Sequence, residues 1–113
     1  MNITFKDRKL RKLVNNDKNL VKEYGTIRAS KIRLRLTDLM CSETLEDTRN
    51  LPGNYHELTE NKKGVWACDL DQPYRLLFKP HEDPIPSNAD GQYIWKDIKG
   101  VEIISIVNYH KER

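Results

Sequence analysis

A chain of 113 residues can build one modest core and not two, so a single domain over residues 1–113 is expected. Charged residues make up 33% and hydrophobic residues 37%, and no apolar run approaches the roughly 20 residues needed to span a bilayer; a membrane protein is excluded and a cytoplasmic location expected. The net charge of +3 conceals an asymmetry, because residues 1–36 hold eleven Lys/Arg against three Asp/Glu while residues 37–113 hold nine against fourteen. A basic N-terminal part suits a phosphate-rich partner, since each neutralised phosphate releases counterions, although a charged helix is often only a solvated face.

In chain order, Asn2 to Phe5 reads as a short strand, and Asp7 is placed to cap a charged helix with Leu10, Leu13 and Val14 on its buried stripe. Asn15-Asn16-Asp17 breaks and restarts the pattern. Leu20, Val21 and Tyr24 belong to a second helical segment, and Gly25-Thr26 marks a bend before Ile27 to Met40. There Ala29, Ile32, Leu36, Leu39 and Met40 recur at helical spacing as the core face, while Arg28, Lys31 and Arg35 are assigned to a separate basic ridge. Residues 42–50 are polar, with Leu45 alone suited to docking, and read as a connector with one helical turn.

From Tyr55 onward the period changes to that of strands. Tyr55 to Leu58 is short; Val65 to Leu70 and Tyr74 to Lys79 form a hairpin about Asp71-Gln72-Pro73. Pro80 to Gly91 contains three prolines and is a surface loop, and Val101 to Val107 is the last strand, entering beside the hairpin. The expected fold is α+β, with an N-terminal strand and helices packed on one face of a small, mainly antiparallel sheet. Alternation turns Tyr74, Leu76 and Phe78 toward the helices and Arg75, Leu77 and Lys79 away from them. The two isolated cysteines, Cys41 and Cys68, match no zinc or redox spacing and read as buried reduced thiols.

The residues that could carry chemistry are few. RNA can be cleaved without a metal when its 2′-hydroxyl attacks the adjacent phosphorus, which requires a base, an acid for the departing 5′-oxygen and positive charge around the phosphorane. His56 and His110 fall at strand-associated positions, whereas His81 opens the proline-rich loop. Arg75 is the candidate for phosphate charge; its alternative is an ion pair across the sheet to Asp69 or Glu102. Lys62 and Lys63, in the turn before Gly64, and Lys79 could hold an RNA backbone, as could Arg28, Lys31 and Arg35. Tyr109 could stack on a base or orient the phosphate, and Trp66 and Trp95 read as packing anchors. No metal or other cofactor is expected, and neither a nucleophile elbow nor a glycine-rich phosphate loop is present in the sequence.

Several strings taken together resemble a known family: Phe5-Lys6-Asp7-Arg8-Lys9-Leu10, Arg49-Asn50-Leu51-Pro52-Gly53, Asp69-Leu70-Asp71-Gln72-Pro73-Tyr74-Arg75-Leu76, Asp83-Pro84-Ile85-Pro86 and the ending Asn108-Tyr109-His110. Their order and spacing resemble the HigB branch of the RelE-like toxins, also described as plasmid-maintenance killer proteins. The resemblance implies a microbial-ribonuclease-like α+β domain that acts as the toxin of a type II toxin–antitoxin pair. Such a toxin binds the ribosome and cuts mRNA there as a metal-independent endoribonuclease. It implies a helix-turn-helix (HigA-type) antitoxin as partner, with operator DNA reached only through the toxin–antitoxin complex. It also implies His56, Arg75, Asn108, Tyr109 and His110 as the catalytic set. Asn108 stands where the family often has Asp, and an amide cannot accept a proton at neutral pH. The alternative is therefore a catalytically impaired member that survives as an antitoxin- or ribosome-binding module. A gyrase-poisoning relative of the same fold is a third reading, opposed by the Tyr-His ending.

Overall fold

The computed structural model describes residues 1–59 and 64–109. Strand β1 (Asn2–Phe5) leads into helix α1 (Arg8–Val14), where Asp7, in extended geometry, accepts the Lys9 amide at 2.8 Å as the sequence predicts. Asn16 caps α2 (Asp17–Cys41) by accepting the Asn19 amide at 3.1 Å. Gly25 interrupts this helix with φ 83° and ψ 164°, a backbone state that L side chains rarely adopt, and the axis kinks there. A 3-10 turn at Glu46–Asn50 follows, with Leu45 fully buried beside it.

Strands β2 (His56–Glu57), β3 (Trp66–Asp69), β4 (Tyr74–Pro80) and β5 (Gly100–Asn108) complete a five-stranded sheet in the order β1-β5-β4-β3-β2. Neighbouring pairs are antiparallel except β1 and β5, which run parallel with Ile3 opposite Val101. The fold is thus the expected α+β, with one feature the strand pattern did not convey: the N-terminal strand joins the C-terminal one in parallel, the chain between them running through the helices and strands β2 to β4. A bulge between Leu77 and Phe78 leaves β5 with an extra residue between Ser105 and Ile103.

The core lies between the helices and one sheet face. Leu20, Ala29, Ile32 and Leu39 from α2 meet Trp66, Cys68, Leu76, Phe78, Val101 and Ile103, and most of these are fully buried. Each fully buried large apolar side chain is worth about 1.5–3 kcal/mol, so this stripe carries the docking of the helix on the sheet. Met40 departs from the expected core face and is 61% exposed, because it sits at the margin of the stripe in the last turn of α2. Cys41 is exposed rather than buried, while Cys68 is buried as expected. In the proline-rich loop, Asn88 Oδ1 accepts the amides of Asp90 and Gln92, closing a tight turn beside a Ser87–Tyr93 bridge. No helix among the described residues is long and apolar enough to cross a membrane.

Candidate functional site

Cross-strand partners share a sheet face, so the register sorts the polar residues. Opposite the helices, one row runs through His56, Ala67, Leu77 and Ser105, and the next through Asp69, Arg75 and Val107. Strand spacing puts the Cα atoms of His56 and Arg75 roughly 12 Å apart, a span that an imidazole and an arginine can close onto one phosphate. Between them the floor is made of Ala67 and Leu77, both buried, so the polar groups rise from an apolar base. Lys79 and Glu102 form a third row and pair at 3.5 Å, with Lys79 about half exposed.

His56 follows a tight loop in which Gly53 (φ 120°) and Asn54 (φ 55°) both take left-handed backbone. This geometry brings the Asn54 carbonyl to 2.7 Å from His56 Nδ1. A carbonyl only accepts, so Nδ1 carries the proton, and the neutral ring presents Nε2 as its basic atom. Arg75 Nε lies 3.5 Å from Asp69 Oδ1 across the β3–β4 pair, and its Cζ lies 3.8 Å from the centroid of the Tyr109 ring. The first contact is an ion pair and not a hydrogen bond, since Asp69 Oδ1 is shielded from solvent and accepts none. Among the described residues, no hydrogen bond engages the Arg75 η nitrogens, the atoms whose fork geometry suits an anion.

Tyr109 donates its backbone amide to Pro73 O at 2.9 Å, which ties the end of β5 to the hairpin turn. Asn108 pairs with Tyr74, so the register sets it on the face opposite Arg75. The structure thus brings His56, Arg75 and Tyr109 of the expected set to one side of the sheet and gives Asn108 a different aspect. His110, Lys62 and Lys63 lie outside the described residues.

The expected basic ridge does not form as a solvent-facing surface. Arg35 is only 7% exposed; its Nε donates to Asp69 O at 2.7 Å and its Nη1 to Pro52 O at 3.2 Å, with the Asp38 carboxylate 3.7 Å away. Arg28 grips Asp71 with two hydrogen bonds, at 3.0 and 3.2 Å, and stacks 3.4 Å from the Tyr74 ring centroid. Lys31 is half-buried and forms no ion pair among the described residues. The physical reason is helical phase. Arg28 and Arg35 lie two turns apart and within three or four residues of Ile32 and Leu39, so both border the buried stripe and point at the sheet. That spacing was visible in the sequence, and it is the signal by which their internal role could have been found.

The Tyr55 hydroxyl lies 3.2 Å from both Asp38 Oδ2 and Arg35 O, and burial, reinforced by Cys68 and Asp38, pushes its ionisation upward. Burial likewise pushes the Cys68 thiol up to about 12, against the opposing pull of Arg35. Neither group is an acid or nucleophile at neutral pH. Trp66 is fully buried and Trp95 meets it edge-on at 5.3 Å between centroids, in keeping with packing roles. A groove of about 680 Å³ between β1 and the helices, lined by Ile3, Phe5, Arg11, Leu36 and Met40, belongs to a separate part of the surface.

Comparison with known proteins finds no matching family model, no matching curated protein and no matching solved structure.

Proposed function

We propose that this chain is a metal-independent endoribonuclease of the HigB branch of the RelE-like toxins, cutting mRNA on the ribosome and inhibiting translation. The observation that carries the reading is the Arg75 guanidinium, whose η nitrogens are unengaged among the described residues, on the same helix-free sheet face as the basic Nε2 of His56. In this reading the RNA 2′-oxygen attacks phosphorus as its proton passes to a base. The bond to the 5′-oxygen breaks as an acid protonates that oxygen, leaving a 2′,3′-cyclic phosphate and a 5′-hydroxyl. His56 Nε2 serves as one of the two proton carriers and His110 as the other. Arg75 balances the charge that builds on the equatorial oxygens, and Tyr109 steadies Arg75. A partner antitoxin of the helix-turn-helix type and a cytoplasmic location go with this reading.

The test is primer extension on a defined message in a purified translation reaction, comparing the protein with His56→Ala, His110→Ala and a ribosome-free control. Loss of a proton carrier lowers cleavage by about 10²- to 10⁴-fold. Cleavage unaffected by both substitutions, or independent of ribosomes, would sink the assignment. A second reading is favoured by Asn108, an amide on the face opposite Arg75: a family member that binds antitoxin or ribosome without cutting. Blocked translation with intact message supports that reading.

A further inference from the structure

We infer that Arg35 is a positioning residue that holds the two halves of this site in register, His56 on one side and Arg75 on the other. The inference rests on the reading that these two residues act together, and it concerns how they come to be aligned. Arg35 touches neither of them. Its guanidinium instead reaches backbone tied to each: Pro52 O, in the loop that delivers His56, and Asp69 O, on the cross-strand partner of Arg75.

The loop and the strand end are closed on each other at the same place. Asp69 N donates to Gly53 O at 2.8 Å, so residue 69 is bound to the loop through its amide and to Arg35 through its carbonyl. Gly53 lies so close to the guanidinium that an added Cβ would stand 2.8 Å from Arg35 Cζ. One residue further, Asn54 turns its carbonyl onto His56 Nδ1 and sets the tautomer. From Asp69 the side chain faces Arg75. Arg35 is itself oriented by Asp38, which the Tyr55 hydroxyl also contacts.

A planar fork satisfies both carbonyls at once from two separated nitrogens in fixed directions, whereas a lysine ammonium gathers its three donors on one nitrogen and does not reproduce that spacing. Replacement leaves the Asp69 N–Gly53 O bond as the remaining tie and so loosens the loop against β3, and displacements of about 1 Å between catalytic groups cost on the order of 10²-fold in rate.

The experiment compares the parent with Arg35→Lys and Arg35→Met, each first shown to be folded by circular dichroism. Nitrogen-15 spectra of the histidine rings, with the His56 signals assigned from a His56→Gln sample, report the tautomer directly. Expected are a protonated Nδ1 in the parent and a mixture of tautomers in both variants, with kcat for ribosome-dependent cleavage down about 10- to 100-fold and KM within about twofold. Should Arg35→Met fail to fold, Arg35→Lys, which keeps the charge and the stem, decides. A folded variant with the parental His56 spectrum and parental kcat overturns the inference. If the parent shows no cleavage, the nuclease reading fails, and the His56 spectrum alone rules on Arg35: a changed tautomer upholds the positioning role and an unchanged one overturns it.

Discussion

The Arg75 guanidinium carbon lies 3.8 Å from the centroid of the Tyr109 ring, so a cation and an aromatic face stack where β4 and the end of β5 meet. The contact depends on the ring and not on the hydroxyl. Tyr109→Phe should therefore retain it, while Tyr109→Ala should cost about 0.5–1 kcal/mol of stability and loosen Arg75. Urea unfolding of the two variants checks the difference; equal stability losses would show that the stacking contributes nothing.

Arg28 and Asp71 make the second anchor of the hairpin turn. The pair is two-pronged and mostly buried, and the turn it secures presents Pro73 O to the Tyr109 amide. A double-mutant cycle with Arg28→Ala and Asp71→Ala should give a coupling energy of about 1–2 kcal/mol, above the range of an exposed ion pair. Additive single effects would place Arg28 among solvated surface charges.

The two cysteines should separate cleanly in reactivity. Cys41 is exposed and Cys68 buried, so a thiol reagent at pH 8 should label one cysteine in the native protein and both in denaturant. Linkage follows from the raised Cys68 ionisation. Below about pH 9 the thiol is neutral in both states and costs nothing, but above that the unfolded chain ionises first. Stability should fall as pH rises from about 9 toward about 12. Cys68→Ala should remove that part of the slope, which denaturant midpoints at pH 8 and pH 10 will read.

Gly53 is a position where size and conformation act together. At φ 120°, with an added Cβ 2.8 Å from the Arg35 guanidinium, Gly53→Ala is strained in both respects and should destabilise by about 1–3 kcal/mol. Thermal unfolding measures the cost. A variant as stable as the parent would mean that the loop and the guanidinium part without penalty.

Much of this molecule was legible in the chain because its signals are local. The Asp7 cap, the break at residues 15–17, the Gly25 bend, the buried Leu45 and the hairpin about Asp71-Gln72-Pro73 each follow from side-chain chemistry within a few residues. Alternation likewise assigned Leu76 and Phe78 to the helices and Arg75 to the other face. What the tertiary structure decided are relations between distant segments. The parallel β1–β5 pairing joins residues about 100 positions apart, and no local pattern encodes it. Arg28 and Arg35 stand between the two cases: their helical phase beside Ile32 and Leu39 already marks an inward edge, but the groups that hold them, Asp71, Asp69 O and Pro52 O, come within reach only when α2 docks that edge against the sheet. A buried guanidinium persists only where acceptors converge on it from other segments, and that convergence is a property of the fold rather than of the chain.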